Sequence, residues 1–408
     1  MRPDQRRIEY SGSVHDEEEI EAVVEVLRGG PSALRISKNV KAFEQGVAEY
    51  FGKRRGIMVN SGSSALYLAV ELLDLPAGAE VITSPLTFST DLAPLIRAGL
   101  VPVFVDVEPD TFNVDVDAIE AMIGPASRAI LLPNLAGNAP DWDRVRALSD
   151  RHGLVVIEDS CDALGARLRG TPTGTRSDLS VTSFALSHII TCAGNGGMVL
   201  LDDEAQRDRC LSLRRWGRRS EPQLFGSRRG ERSFWEDLDG LRYDSLFIFD
   251  DVAWNFEPSE LGAAFGLRQL DKLPTNYARR QRNFSLYNDF LAQHADELIA
   301  PRQLDGLDTA WLSYVFLIRP DAGFDRADLQ QFLEPRGIDT RTVWTGNATR
   351  QPMLRGVHFR QPEGGLPNAD AVMERGMLVP MGHGLSDDDV AYVCDGIAAF
   401  FREHLGRG

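Results

Sequence analysis

Lysine is scarce in this 408-residue chain, which contains only Lys38, Lys41, Lys53 and Lys272. The first two lie in or near a helical pattern, Lys53 precedes a strand-like run, and Lys272 follows a helical run. None of them follows a buried strand of the central sheet that the sequence predicts. We therefore expect no lysine amine at the carboxyl end of a strand, where α/β proteins place their reactive groups.

Cysteine is also sparse, and the four cysteines, Cys161, Cys192, Cys210 and Cys394, form no C-x-x-C pair. This spacing argues against a zinc site or a simple ferredoxin site. An intracellular chain of this length needs no disulfide framework. We expect no metal site, and we expect Cys210 and Cys394 to be small buried residues.

Long apolar runs and excess positive charge are both missing. No stretch of about 18 apolar residues is present, so no membrane span is expected. Residues 1–12 have no apolar signal core, which predicts a cytoplasmic protein. The net charge of −16 excludes the basic footprint of a nucleic-acid-binding surface, although it is compatible with a local basic pocket for an anionic substrate.

Short apolar runs of strand length alternate with helical patterns through the first half of the chain. The runs are residues 55–59, 81–83, 101–105, 129–132, 154–157, 179–184 and 196–201. This alternation predicts an α/β fold with a mostly parallel sheet that helices cover on both faces. Functional residues of such sheets lie at the carboxyl ends of the strands.

The stretch 179–201 carries the strongest functional signal. Two apolar runs enclose a polar loop that contains Ser183, Ser187, His188 and Asn195. The imidazole of His188 can take up and release protons near pH 7, because its unperturbed pKa is about 6.5. For a lone histidine the usual interpretation is an ordinary loop residue whose nitrogens are satisfied by hydrogen bonds, and it is the pattern flanking His188 that favours a functional role.

A strand–turn–helix at residues 55–73 is a second candidate element. Gly62 allows the backbone to approach a ligand closely, and Ser63 and Ser64 can cap the helix. The free N–H groups at the start of a helix bind anions such as phosphate. Because Ser and Gly also cap many helices that bind nothing, this signal is weak by itself.

These features together resemble the sugar aminotransferases of the DegT/DnrJ/EryC1/StrS family over roughly residues 10–405. The resemblance rests on the Ser183-Phe184 pair, a base at position 188 and the Gly-x-Gly-Gly turn at 194–197. Family members use pyridoxal 5'-phosphate (PLP) or its pyridoxamine form (PMP) on nucleotide-linked keto-sugars. Their lysine, which bonds covalently to PLP, is replaced by His188 here. Histidine at this position is typical of the family's 4-keto-6-deoxy-sugar 3-dehydratases.

The resemblance implies a fold-type I architecture with two domains. A large cofactor-binding domain, with an N-terminal helical segment and a mostly parallel, mixed seven-stranded sheet flanked by helices, would cover residues 1–275. A smaller α+β domain would cover residues 276–408. The patterns near this boundary predict a helix at 259–270, a long helix from about 273, and a strand at 311–318.

The resemblance also assigns contacts to the cofactor. Asp159 would keep the pyridine nitrogen protonated, and Phe88 would stack on the ring; the alternatives are a helix cap and a core residue. Asp162 stands where many relatives place Gln or His near the phenolic oxygen, and we expect it to form a hydrogen bond. The full set of implied cofactor contacts is Gly62, Ser63, Phe88, Asp159, Asp162, Ser183 and Asn255.

Asn255 matches an asparagine that binds the cofactor phosphate of the neighbouring subunit in the family. The resemblance therefore implies a homodimer with shared active sites. The string at 346–352 is similar to that of the 3-dehydratases, and we expect Asn347 and Arg350 to contact the substrate.

The segment 214–250 is locally basic inside an acidic protein. Arg218 and Arg219 are candidates for binding a substrate diphosphate, because guanidinium forks suit phosphate oxygens. A solvated surface is the alternative for this segment.

The resemblance predicts a PLP/PMP-dependent dehydratase that acts on a nucleotide-linked 4-keto-6-deoxyhexose, with His188 and Asp159 in the chemistry and L-glutamate as amino donor. One branch of the dehydratases holds an iron–sulfur cluster with four cysteines. Cys161 matches the first of them, but residues 211–260 contain none, so we favour the branch without a cluster. Transamination, cluster-assisted dehydration and a non-catalytic sugar-nucleotide-binding subunit remain the alternatives.

Overall fold

The structure, a computed structural model, describes residues 6–406. Its strands are β1 (Arg55–Val59), β2 (Glu80–Thr83), β3 (Val101–Phe104), β4 (Ser127–Pro133), β5 (Val155–Asp159), β6 (Arg167–Leu168), β7 (Thr171–Pro172), β8 (Leu179–Ser183), β9 (Gly197–Leu201), β10 (Trp235–Leu238), β11 (Leu241–Asp244), β12 (Leu298–Ile299), β13 (Leu307–Asp308), β14 (Tyr314–Ile318) and β15 (Gly376–Val379). Its α-helices are α1 (Glu17–Arg28), α2 (Lys38–Phe51), α3 (Gly62–Glu71), α4 (Ser89–Arg97), α5 (Val116–Met122), α6 (Trp142–His152), α7 (Glu204–Arg214), α8 (Glu221–Phe225), α9 (Glu260–Leu291), α10 (Arg326–Leu333), α11 (Pro367–Arg375) and α12 (Asp387–Leu405).

A seven-stranded sheet in the order β1-β9-β8-β5-β4-β2-β3 forms the centre of the large domain. The strands from β8 to β3 run parallel to their neighbours, and β9 is antiparallel to both β1 and β8. The mostly parallel, mixed seven-stranded sheet expected from the sequence is therefore confirmed. In the parallel part, the carboxyl ends of β2, β4, β5 and β8 meet at one edge.

Successive residues of the strands enter different hydrophobic cores. Ala129 and Leu131 of β4 belong to one cluster of buried side chains, whereas Ile130 and Leu132 belong to another. This period of two places alternate side chains on opposite faces of the sheet. Because both faces are buried under helices, each strand reads as a continuous apolar run in the sequence.

Helix α9 differs from the sequence prediction. The two helices expected at 259–270 and from about 273 are one helix of 32 residues, with Pro274 inside it. Proline removes one backbone donor from a helix, but α9 packs against α1, α2 and α12, and these contacts outweigh the local cost. The expected domain boundary at residue 275 falls within this helix.

The C-terminal region contains a three-stranded antiparallel sheet, β12-β14-β15, together with α10, α11 and α12. The strand expected at 311–318 begins later, at Tyr314. The N-terminal segment joins this region through a bridge between Ile8 and Ile338. Residues 1–5 and 407–408 of the expected domains lie outside the described residues.

No helix within residues 6–406 is long and apolar enough to cross a membrane.

Candidate active site

A cavity of about 450 Å³ lies at the carboxyl edge of the central sheet. Its walls come from the start of α3, from the segments that follow β4, β5 and β8, and from the C-terminal region. Seven residues singled out from the sequence line this one cavity: Gly62, Ser63, Phe88, Asp159, Asp162, Ser183 and His188. These seven residues come from four separate parts of the chain and converge where the sheet topology places a site.

One end of the cavity is suited to a phosphate. Ser61 caps α3 by accepting a hydrogen bond from Ser64 N, while the N–H groups of Gly62 and Ser63 have no acceptor in the described part of the chain. A Cβ on Gly62 would lie 2.6 Å from the Cβ of Ser183. Glycine is therefore required here, and the free N–H groups and the Ser183 hydroxyl form an anion-binding end.

Asp159 provides a buried carboxyl group deeper in the cavity. It is the last residue of β5, its side chain accepts a hydrogen bond from Cys161 N at 3.0 Å, and it is 7% exposed. Burial raises the pKa of Asp159 above its usual value. A positively charged group opposite this carboxyl would offset that cost, which is what a protonated pyridine nitrogen provides.

Asp91 is a second carboxyl beside Asp159 that the sequence analysis did not identify. It lies in α4, is fully buried, and accepts a hydrogen bond from the Thr87 hydroxyl. Burial, followed by the charge of Asp159, raises the pKa of Asp91 well above its usual value. Two neighbouring buried carboxyls do not both ionise, and Asp91, whose pKa is raised well above its usual value, is the one expected to keep its proton. No local signal marks Asp91, because an acid in the first turn of a helix is common.

Phe88 presents an aromatic face to the cavity and is 55% exposed, unusually so for a large apolar residue in a pocket. It immediately precedes α4. The preceding backbone is held from the C-terminal region: Thr345 donates to the carbonyl of Thr87 at 2.6 Å, and Ala348 N donates to that of Pro85 at 3.0 Å. The 346–352 string therefore supports the loop that carries the aromatic ring.

His188 also lines the cavity, and its side chain is 17% exposed. Its Nδ1 has no hydrogen-bond partner and lies 3.8 Å from Asp162 Oδ1. Burial lowers the pKa of His188 to about 4, although a hydrogen bond with the Cys161 backbone opposes this. The imidazole is therefore neutral at pH 7, and one nitrogen can accept a proton.

Asp162 accepts a hydrogen bond from Ala136 N at 3.0 Å through its other oxygen. Burial, followed by the charge of Asp159, raises the pKa of Asp162 to about 8. Its carboxyl group is mostly protonated at pH 7 and can act as a hydrogen-bond donor. This agrees with the hydrogen-bonding role expected from the sequence, while the identity of its partner stays a prediction.

No lysine among the described residues lines the cavity. Lys38 and Lys41 lie in α2. Lys53 donates to the Ser177 carbonyl and pairs with Asp202, and Lys272 pairs with Glu19 at 2.8 Å. No amine therefore replaces the one that His188 lacks.

The structure does not bring Asn255 to this cavity within one chain. Asn255 is exposed, and its Oδ1 accepts a hydrogen bond from Glu257 N. Arg219 forms a bidentate pair with Asp250, and Arg218 lies 3.6 Å from the buried Glu221. Their roles in cofactor and substrate binding stay predictions.

Asn347 and Arg350 also lie outside the cavity lining. Asn347 is 2% exposed and donates to Asp370 at 2.7 Å, and Arg350 pairs with the same carboxylate. In this arrangement both residues fasten the 346–352 string to α11. Substrate contact by either residue stays a prediction.

Several other lining residues were missed in the sequence, among them Tyr10, Arg341 and Trp344. Tyr10 precedes the first helix, and the other two lie in the C-terminal region, more than 150 residues after His188. No local pattern marks them, because the fold alone brings these segments to the sheet edge.

The residues present fit a phosphorylated pyridine ring. The cavity offers the free N–H groups of Gly62 and Ser63, the exposed ring of Phe88 and the buried Asp159 carboxyl. These are the three kinds of contact that a phosphate, an aromatic face and a ring nitrogen need.

The profile of the DegT/DnrJ/EryC1/StrS aminotransferase family matches residues 13–398. The chain is 37% identical to a dTDP-4-dehydro-2,6-dideoxy-D-glucose 3-dehydratase of Saccharopolyspora spinosa, over 96% of this chain and 86% of that protein. The solved structure of E. coli GDP-4-keto-6-deoxy-D-mannose-3-dehydratase with bound hydrated PLP superposes with a TM-score of 0.85 at 26% identity, covering 96% of this chain and 100% of that one. An aminotransferase of Streptoalloteichus hindustanus superposes nearly as well, with a TM-score of 0.83 at 25% identity and coverage of 98% and 100%.

The family match spans almost the whole chain, and the cavity has the contacts that the family's cofactor requires. Relatives that perform dehydration and relatives that perform amination share this fold at similar identity. This chain is therefore an enzyme of the DegT/DnrJ/EryC1/StrS aminotransferase family, and pyridoxal phosphate is its cofactor.

Proposed function

We propose that this enzyme is a PLP/PMP-dependent 3-dehydratase that removes the C3 hydroxyl of a nucleotide-linked 4-keto-6-deoxyhexose to give a 3,6-dideoxy-4-keto sugar. The observation that carries the proposal is His188, which stands at the family's lysine position in a cavity that no lysine of the described chain lines. An imidazole cannot tether PLP, but it can move protons.

When bound, the pyridoxamine form supplies an amine for the C4 ketone and a ring that accepts electrons. His188 is the group placed to take up a proton, because its ring lines the cavity and is neutral at pH 7. The same imidazolium can then protonate the departing C3 oxygen. General acid–base help of this kind is worth about 10²–10⁴-fold in rate.

The other residues of the cavity hold and orient the reactants. Asp159, supported by the protonated Asp91, offers a carboxylate to the pyridine nitrogen. Asp162 offers a proton to a hydrogen-bond acceptor on the side facing His188. Phe88 would offer its ring to one face of the bound cofactor and would restrict access of water to it.

The overall reaction balances when L-glutamate is the amino donor. The C3 hydroxyl is replaced by hydrogen, and the two electrons required come from glutamate, which leaves as 2-oxoglutarate and ammonia. No external reductase is then needed. An iron–sulfur centre is disfavoured because Cys161 is the only cysteine that lines the cavity in residues 6–406, and Cys210 and Cys394 are buried elsewhere.

A direct product analysis tests this proposal. The purified enzyme, loaded with PMP, is incubated with GDP-, CDP- and dTDP-linked 4-keto-6-deoxy sugars in turn, and products are identified by mass spectrometry. We expect a 3-deoxy sugar from at least one substrate, with glutamate required for repeated turnover. A 4-amino sugar as sole product would instead establish transamination, and no product from any sugar would favour a binding subunit. The cytoplasmic location expected from the sequence remains a prediction.

The proposal includes a homodimer with shared sites. Val252 and Trp254 lie just before Asn255 in the chain, and their exposed fractions are 104% and 67%. Phe247 and Phe249 nearby are also exposed. Contiguous apolar residues on the surface mark protein–protein contacts, and a second copy would bring Asn255 to the phosphate end of its partner's site.

Mixed dimers test the shared site. His188→Asn and Asn255→Ala proteins are prepared with different tags, mixed under exchange conditions and purified as the mixed species. One of its two sites carries both changes and the other carries neither, so we expect about half of the wild-type activity per dimer. Mixed dimers as inactive as the two parent variants would show that Asn255 serves its own subunit's site.

A further inference from the structure

A smaller chamber of about 250 Å³ opens beside the cofactor cavity. The two cavities share Tyr10, Ser187, His188 and Leu312 in their linings. The remaining walls come from the N-terminal segment 7–14, from Arg280 of α9, and from the loop 382–385. A small molecule that reacts next to His188 can therefore extend into this chamber.

Arg280 is a buried cation at this chamber with no carboxylate partner within 4 Å in the described chain. It is 4% exposed, and its nitrogens donate to the carbonyls of Trp311 and Leu312 and to His383 Nδ1, at 3.0–3.2 Å. Burial lowers the pKa of Arg280 to about 10. A buried charge normally has a counter-ion, because an uncompensated one is costly.

His383 also lines the chamber and lies beside Arg280. Its Nδ1 accepts the hydrogen bond from Arg280, so the ring proton resides on Nε2. That Nε2 is buried and has no acceptor. Burial, followed by the charge of Arg280, lowers the pKa of His383 to about 3, which keeps the ring neutral. The Ser187 hydroxyl also lines the chamber, whereas Glu9 is the one acidic residue in its lining and is exposed.

We propose that this chamber is a subsite for a carboxylate of the amino acid that donates the amine, with Arg280 as its anchor and His383 orienting the guanidinium. The inference rests on the proposed function in one respect, namely that an amino acid regenerates the amine form of the cofactor. The carboxylate supplies the counter-ion that Arg280 lacks, and the amine end then lies beside His188. Pockets for drug-sized ligands measure about 300–1,000 Å³, so this chamber suits an amino acid and not a nucleotide sugar.

The test uses glutarate, a dicarboxylate that has no amine and cannot react with the cofactor. Its dissociation constant is measured by calorimetry on PLP-loaded protein, and GDP is titrated in parallel as a diphosphate. We expect Arg280→Gln to weaken glutarate binding at least tenfold, as for a lost charge-assisted hydrogen bond. Binding of GDP should change less than about twofold, since the subsite is too small for a nucleotide.

A second variant blocks the chamber without replacing Arg280, whose loss could disturb the local fold. A Cβ on Gly382 would meet nothing within 4 Å, so Gly382→Val fills the chamber and leaves the bonds of Arg280 intact. Gly364→Val is the matched control, because Gly364 has equally open surroundings and does not line the chamber. We expect weaker glutarate binding in Gly382→Val and no change in Gly364→Val.

Three results would overturn the subsite. They are an unchanged glutarate constant in Gly382→Val, no glutarate binding to the wild type, and a parallel loss of GDP binding in Arg280→Gln, which would assign the chamber to a diphosphate. No sugar is turned over in these titrations. Failure of the dehydratase assay would therefore leave these titrations unaffected, and the proposed function and the proposed subsite are tested independently.

Discussion

The cofactor cavity and the arginine-rich segment 214–250 were both singled out from the sequence, but only the residues of the cavity converge in the structure. The cavity residues come from the ends of buried strands and meet in one place. The arginines of the segment are spread along loops and an exposed hairpin, β10–β11, and they pair with nearby acids. Arg219 with Asp250 and Arg232 with Asp244 are examples.

The difference shows what positions a side chain. A residue that directly follows a buried parallel strand has little freedom, because the hydrogen bonds of the sheet set its place and direction. A residue in a long irregular segment is placed by partners that are distant in sequence, such as Asp250 for Arg219, 31 residues away. A cluster of arginines therefore identifies a binding surface only when the neighbouring acids do not already occupy the guanidinium groups.

The largest effect is expected at the centre of the cavity. His188→Asn should lower the rate of C3–oxygen cleavage by about 10²–10⁴-fold, because the proton-transfer group is lost. PLP binding should be nearly unchanged, since the phosphate end and Asp159 do not depend on the imidazole. Product formation and PLP absorbance titrations measure the two properties separately.

His188→Lys is the complementary change. It restores an amine at the family's usual position, so PLP should become covalently attached, and amination should be favoured over water loss. Borohydride reduction followed by peptide mass spectrometry detects the attachment. The wild type is the control, and cofactor reduced onto any of its four lysines would contradict the reading of His188 as an untethered site.

Strand periodicity predicted the sheet and its carboxyl edge, and the family resemblance then identified most of the seven cavity residues. The run at 155–159 ends in Asp159, and the loop after 183 carries His188, so the strand periodicity is sufficient to place them. It could not predict Asp91, whose role depends on contact with Asp159 across two segments. Nor could it predict that α9 continues through Pro274, because packing against α1 and α2 decides this.

A smaller effect is expected at the second acid of the cavity. The pKa of Asp162 is about 8 in the folded protein and about 3.8 without it, so the native state binds the extra proton. The stability from neutral Asp162 is therefore fully present below pH 4 and is lost as the pH rises through 8. His188 acts in the opposite direction, because its pKa falls to about 4: its contribution is present above pH 6.5 and is lost as the pH falls through 4.

Below pH 6.5, Asp162 and His188 change the free energy of unfolding with pH in opposite directions. Between pH 6.5 and 8 only the contribution of Asp162 still changes, so this interval measures it alone. Over this interval the wild type should lose about 2 kcal/mol of stability relative to Asp162→Asn, from about 1.4 kcal/mol per pH unit. Urea unfolding of both cofactor-free proteins at several pH values measures the difference. Asp106→Asn, a change at a carboxylate that caps α11 outside the cavity, is the control. Parallel curves for wild type and Asp162→Asn would show that Asp162 is ionised at pH 7.

The smallest effect concerns the arginine-rich segment and decides how far the comparison holds. If Arg219 leaves Asp250 to bind the substrate diphosphate, Arg219→Gln should raise KM about tenfold with kcat unchanged, as expected for loss of uniform binding. Asp250→Asn releases the guanidinium and should leave KM equal or lower. Arg228→Gln is the matched control in the same segment, since Arg228 is exposed and pairs with Glu231. Steady-state kinetics with the preferred nucleotide sugar measure all three.

An unchanged KM in Arg219→Gln, together with equal losses of thermal stability in Arg219→Gln and Asp250→Asn, would mean that the pair only supports the fold, and that this segment contributes no phosphate contact through Arg219.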